Sequence, residues 1–267
     1  MLIAQLSDPH VTVPGALSNG FVDTTGALRR AVAHLLGLAP RPDVALLTGD
    51  LVDSVEPAGY ETLRAVLAPL PMPLYVIPGN HDDRALLRRA FAAEGYLPAT
   101  GAFLHYVVEG YPLRLIGLDS QLAGETGGEL CAERLAWLAA RLAEGPQRPT
   151  LIFMHHPPFP TGLPLDRYGF PGSAELGALL ERHPQVQRLV AGHVHRPVQA
   201  LWHGVPASTC PATAHQIELE LGGGSRSRIS LEPPALQLHR WSAGHGVVTH
   251  TSPIGDYAVR DFPRQRG

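Results

Sequence analysis

The run Leu74-Tyr75-Val76-Ile77-Pro78-Gly79-Asn80-His81-Asp82-Asp83 decides the reading of the chain. Its first four residues are apolar and β-favouring, and read as a short buried strand. Pro78-Gly79 stops that strand, and the next residues are an amide, an imidazole and two carboxylates, all side chains that bind metal ions. Asparagine occurs only twice in 267 residues, at Asn19 and Asn80, so its presence here invites a chemical reason. Asp82 and Asp83 then open a helix expected over residues 82–93, where acids complement the helix dipole.

The same arrangement recurs four more times. Asp8-Pro9-His10 follows an expected strand at residues 2–6, and Gly49-Asp50 follows one at 43–48. His155-His156 ends a strand at 150–154, and Gly192-His193-Val194-His195 follows one at 188–191. Ligands of α/β sheets bind beyond the carboxyl ends of the strands, so five such ends lying in one sheet would ring one pocket. Residues spaced i, i+2, as in Asp8/His10 and His193/His195, aim two donors at one region from a tight turn. Taken singly each motif is weak, since Asp-Pro and Gly-Asp are common turn pairs. His156, next to His155, shows that not every histidine here is a ligand. The conjunction carries the weight. Imidazole, carboxylate and amide without thiolate make a mixed N/O set suited to Zn, Mn, Fe or Co. Seven donors are too many for one ion and suit two ions sharing a carboxylate.

Between these points the chain alternates. Helical spacing of apolar residues predicts helices over 25–38, 58–67, 131–142 and 174–182, and a hairpin turns at Glu109-Gly110-Tyr111-Pro112 between strands at 103–108 and 113–118. After about residue 200 the helical signal stops, and strands are expected near 198–202, 216–221, 235–241 and 246–250, with a flexible loop at Gly222-Gly223-Gly224-Ser225. The pattern predicts an α/β (α+β) fold of two packed mixed sheets flanked by helices.

Composition narrows the function. Net charge is −3, all 21 basic residues are arginine, and they form no stripe, which argues against binding a nucleic acid duplex. No apolar run approaches the ~18 residues that cross a bilayer, so no membrane partner is expected. Two cysteines, Cys131 and Cys210, make neither a disulfide framework nor a zinc cluster. No basic leader precedes the first strand, and the expected location is cytoplasmic.

These blocks resemble the calcineurin-like metallophosphoesterase superfamily, whose pattern is D-x-H, G-D, G-N-H-D/E, a lone H and G-H-x-H. Phrases such as Phe153-Met154-His155-His156-Pro157-Pro158 and Pro211-Ala212-Thr213-Ala214-His215-Gln216 are similar to its class III phosphodiesterase branch, which holds bacterial glycerophosphodiesterases and cyclic-nucleotide phosphodiesterases. The resemblance implies a four-layer α-β-β-α sandwich. Residues 1–200 would form the catalytic core, and residues 201–267 would add strands and a cap or oligomerisation element, giving a homo-oligomer. It implies two divalent or mixed-valence transition-metal ions. Asp8, His10, Asp50 and His195 would hold one, and Asp50, Asn80, His155 and His193 the other. Asp50, Asn80 and His81 would be catalytic, and Asn80, His81 and His215 would bind substrate.

The implied reaction is attack of a metal-bridging hydroxide on the phosphorus of a small phosphodiester, with His81 as acid or charge stabiliser. Two divalent ions, two carboxylates and one hydroxide sum to +1, which complements a diester at −1. A phosphomonoesterase, a nuclease of the same superfamily and a non-catalytic scaffold are the alternatives; no ligand position is replaced, as it would be in a decayed scaffold. Asp53 reads as a helix or loop polar residue, Arg84 as a solvated helix position, and Asp82 as a helix-start acid or a partner orienting a ligand histidine.

Overall fold

The computed structural model describes residues 1–222 and 226–262; most of the loop expected at 222–225 lies outside the described residues. Leu2–Leu6 (β1) leads to helix Thr24–Leu36 (α1), then Val44–Thr48 (β2), helix Pro57–Leu67 (α2), Leu74–Ile77 (β3) and helix Arg84–Ala90 (α3). Every residue of β2 is buried, as expected of a parallel strand covered on both faces. Asp23 caps α1 by accepting the Gly26 N–H at 2.7 Å, and Leu28, Val32 and Leu35 form its buried stripe. β1, β2 and β3 pair in parallel, so α1 and α2 are crossovers.

The second half repeats the scheme. Tyr106–Val108 (β4) and Arg114–Gly117 (β5) pair antiparallel, as the hairpin reading requires. Helix Ala132–Ala143 (α4), Thr150–Phe153 (β6), helix Ser173–Glu181 (α5) and Val186–Ala191 (β7) follow, with β5, β6 and β7 parallel. Then come Gln199–Trp202 (β8), Val205–Thr209 (β9), Gln216–Ile217 (β10), Ile229–Ser230 (β11), Ala235–Ser242 (β12) and Gly246–Pro253 (β13).

Five strands form one mixed sheet in the order β13-β12-β1-β2-β3, and six form another in the order β4-β5-β6-β7-β9-β8. Helices α1 to α3 pack against one another, as do α4 and α5, flanking the two sheets in an α-β-β-α sandwich. Strands after residue 200 pair into both sheets, β9 beside β7 and β12 beside β1.

The structure departs from the sequence reading most clearly in four places. The five strand ends that precede the expected donors lie in two sheets, three at β1, β2 and β3 and two at β6 and β7. Helix α3 starts at Arg84, because Asp83 is its cap, accepting the Leu86 N–H at 2.8 Å, while Asp82 turns inward. Strand β9 was not expected: Pro206 argues against a strand. Here its partner Leu201 lies on the edge strand β8 and the two are joined by His203-Gly204, both at positive φ as a tight hairpin turn demands. The strand expected at 216–221 shortens to Gln216–Ile217.

Candidate metal centre

Parallel pairing brings the carboxyl ends of β1, β2 and β3, and those of β6 and β7, to one edge of the two facing sheets. The residues just past those ends turn sharply. Among the described residues, seven that are not glycine have positive φ, and five of them are Asp8 (51°), His10 (42°), Asp50 (49°), His193 (69°) and His195 (51°). Each such conformation costs on the order of 1–3 kcal/mol and persists only where surrounding structure imposes it. Backbone bonds from Asp8 N–H to Gly49 O (3.2 Å) and from His10 N–H to Asp50 O (2.9 Å) lock the first two turns together. Glycine is required beside them. A Cβ on Gly49 would lie 2.4 Å from His155 Nδ1, and one on Gly79 would lie 2.2 Å from Asp50 Oδ1.

All seven sequence-predicted donors converge. His10 Nε2 and His195 Nε2 face each other at 3.1 Å, with Asp50 Oδ2 3.6 Å from the first and Asp8 Oδ1 3.4 Å from the second. On the other side, Asn80 Oδ1 lies 3.1 Å from both His155 Nε2 and His193 Nδ1, and Asp50 Oδ1 lies 3.4 Å from His155 Nε2. The two oxygens of Asp50 therefore face two different groups of imidazoles. Donors bound to one ion at about 2.1 Å stand about 3.0–3.4 Å apart in tetrahedral or octahedral geometry, the spacing seen here.

With this geometry in place, comparison with known proteins is decisive. Residues 1–197 match the calcineurin-like phosphoesterase family. The chain belongs to that family. It is 37% identical to a probable glycerophosphodiester phosphodiesterase, GpdQ, of Arcobacter nitrofigilis, over 96% of this chain and 94% of that one. It is 31% identical to the 3′,5′-cyclic adenosine monophosphate phosphodiesterase CpdA of Escherichia coli, over 74% of this chain and 70% of that one. In fold it is similar to a dimetal phosphatase of Danio rerio, with a TM-score of 0.67 at 16% identity, covering 96% of this chain and 99% of that one. Membership of this family implies divalent metal ions, and the converging histidines and aspartates are groups able to hold them. No helix among the described residues is long and apolar enough to cross a membrane.

Electrostatics suit such a centre. Burial pushes His10 well below its ordinary value and His193 down to about 3, which leaves both imidazoles neutral with lone pairs to offer. Burial alone would lower His155 too, but the Asp50 carboxylate outweighs it and holds His155 up at about 9. Burial would raise Asp50, yet His155 and His10 keep it well below the usual carboxylate range.

Carbonyl oxygens orient three of the rings. Because a carbonyl only accepts, the ring nitrogen facing it must carry the proton. His155 Nδ1 thus donates to Thr48 O (2.8 Å), His195 Nδ1 to His215 O (3.0 Å) and His81 Nδ1 to Asp53 O (2.9 Å), and in each ring Nε2 is the nitrogen available to a cation, which on His155 would take the place of a proton. His81 is the most exposed of the family residues and also donates its backbone N–H to Asp50 Oδ1 at 2.9 Å. The His215 ring is 4% exposed and packs 4.8 Å from that of His195. A ring nitrogen of His156 lies within 4.8 Å of the donor nitrogens of His155 and His193, but its Nδ1 is taken by Ser120 Oγ at 2.9 Å.

Of the layer beneath, sequence reasoning reached only Asp82, through the second of the two roles it offered for that residue. Asp82 is buried, accepting from Gly79 N–H (2.8 Å), Leu51 N–H (3.1 Å) and Tyr60 O–H (3.0 Å), so it ties the Asp50 turn to the Asn80 turn. Burial, followed by the charge of Asp50, pushes it up to about 7. Arg84, expected in solvent, forms a bidentate pair with fully buried Asp119 at 2.6 and 2.9 Å. Asp53, read as a helix or loop polar residue, turns His81 through its backbone oxygen and accepts from Ser18 Oγ at 2.6 Å.

Gly79→Ala is expected to displace the Asp50 carboxylate, removing more than half of the bound metal and costing about 1–3 kcal/mol of stability. Gly110→Ala, where nothing lies within 4 Å of the new Cβ, should change neither. Elemental analysis and urea unfolding of the two variants check both statements.

Proposed function

We propose that this chain is a metal-dependent phosphodiesterase that hydrolyses small phosphodiesters, with glycerophosphodiesters and 3′,5′-cyclic nucleotides as the substrate classes. The observation that carries this reading is the divided carboxylate of Asp50, one oxygen toward His10 and the other toward His155. A carboxylate so placed suits a pair of ions, and a pair of ions suits phosphoryl transfer to water. Similarity to proteins named as glycerophosphodiester and cyclic-nucleotide phosphodiesterases, along most of the chain, supports the substrate classes.

The residues fit divalent ions. Thr48 O accepts from His155 Nδ1, so His155 turns its Nε2 to two acceptors, Asn80 Oδ1 and Asp50 Oδ1, at 3.1 and 3.4 Å. Oxygens gathered round one ring nitrogen call for a positive centre among them, either the proton that Asp50 holds on His155 or a cation in its place. Asp8, His10, Asp50 and His195 would hold one ion and Asp50, Asn80, His155 and His193 the second. N/O donors admit Fe, Mn, Zn or Co. Such ions supply Lewis acidity and lower the pKa of water so that a nucleophile exists near neutrality.

The chain's own groups do the rest. His81, exposed and held at Nδ1 by Asp53 O, keeps its Nε2 free to meet a nonbridging phosphate oxygen or, when protonated, to pass a proton to the leaving alkoxide. The Asn80 amide and the ring of His215 border the same space and orient the diester. Two carboxylates against two divalent ions leave the centre positive, matched to a singly charged diester.

Residues 201–267 carry a second part of the reading, a cap or oligomerisation element. Among the described residues, eight of the twelve large hydrophobics that are exposed follow residue 200, including Leu219, Leu221, Leu231 and Phe262. An apolar surface concentrated in so short a stretch is suited to a second copy of the chain. Two unpaired thiols, Cys131 and Cys210, accord with a cytoplasmic location.

Asn80→Ala should weaken the second metal site and lower turnover of bis(p-nitrophenyl) phosphate by at least 100-fold; unchanged turnover with that site emptied would refute the scheme. A panel of glycerophosphoethanolamine, 3′,5′-cAMP, 2′,3′-cAMP and p-nitrophenyl phosphate, run after metal reconstitution, is expected to favour the diesters over the monoester. Light scattering should give at least twice the 28.6 kDa chain mass, and a monomer would remove the oligomerisation role.

A further inference from the structure

The loop that carries Asn80 and His81 is held by a side chain far from it in sequence. Gln121 is buried, and its amide nitrogen donates to Gly79 O at 2.8 Å and to Asp82 O at 2.5 Å, the two carbonyls that bracket Asn80-His81. An amide NH2 has two protons, and this one uses both.

Gln121 is itself anchored. Its backbone oxygen accepts from Arg84 Nη2 (2.7 Å) and Arg134 Nη1 (2.9 Å), and its N–H donates to Asp119 Oδ1 (3.0 Å). Arg84 begins α3, immediately after the loop, and its bidentate grip on Asp119 closes a ring: loop, helix start, Asp119, Gln121, loop. Asp82 holds the Gly79 N–H and the Asp50 turn, whereas Gln121 holds the carbonyl of the peptide that leads into Asn80.

We propose that Gln121 is a positioning residue for the second metal site, fixing the Gly79 and Asp82 carbonyls so that the Asn80 amide oxygen meets His155 and His193 together. Gln121 touches neither donor set directly and acts through the backbone of the loop. His10 and His195 lie on turns that Gln121 does not contact, and the loop reaches Asp50 only through Oδ1, the oxygen that faces His155, so loss of Gln121 weakens the second site and leaves the first nearly intact. The inference rests on the two-ion reading above.

The test is titration calorimetry of metal-free protein with Co²⁺ alone, comparing wild type with Gln121→Leu, which keeps the volume and removes the donors. Wild type should take two equivalents per chain. In the variant the first equivalent should bind within about threefold of wild type, and the second should weaken about 10–100-fold, the range for partners that orient ligands. Cobalt absorption bands of the second equivalent should shift as well. If Gln121→Leu does not fold, Gln121→Met, unbranched and of similar length, makes the same comparison. Two equivalents bound as in wild type, or both affinities falling together, would overturn the positioning role. A wild-type protein that takes a single equivalent would instead overturn the two-ion reading, and this proposal with it.

Discussion

Four imidazoles, two carboxylates and one amide oxygen stand at one edge of the sandwich with 3.1 to 3.6 Å between neighbouring donors. Polar atoms brought so close and out of water need a proton or a cation between them, and the rest of the structure is arranged to hold them there. Parallel strands deliver the donors to one edge, and the turns past the strands accept unfavourable backbone conformations at five of the seven positions. Glycines 49 and 79 leave room where any Cβ would collide with a ligand. The binding of cations is the favourable term against which these costs are set, since an ion that binds only the folded chain stabilises it by mass action.

The centre stands on hydrogen bonds as much as on side-chain identity. Thr48, His215 and Asp53 each offer a carbonyl that decides which nitrogen of a histidine is free. Asp82 and Gln121 grip the Asn80 loop from opposite sides, one through N–H and O–H donors, the other through carbonyl acceptors. This division is economical: residues placed to meet a cation need only the right donor atom, while neighbours set its direction.

How much of this was legible in the sequence follows from the range of each signal. Strand and motif sit within ten residues of each other, so Asp8, His10, Asp50, Asn80, His155, His193 and His195 were readable as a set. The parallel strands were readable for the same reason. What orients the donors was not, because the partners are remote: Thr48 lies 107 residues from His155, and Gly79 lies 42 from Gln121. Arg84 looked solvated because a charged residue at a helix start usually is; its burial depends on Asp119, 35 residues on. Strand β9 was hidden by Pro206, which an edge partner tolerates. That the donors come from two sheets instead of one followed from strand order, on which local patterns are silent.

The central claim is that these side chains cage two cations joined through Asp50. Anomalous diffraction from crystals of manganese-loaded protein tests it most directly. The account predicts two peaks about 3.5–4 Å apart, one against His10 and His195, the other against Asn80, His155 and His193, with an oxygen of Asp50 next to each. A single peak, or two peaks with Asp50 beside only one, would contradict it.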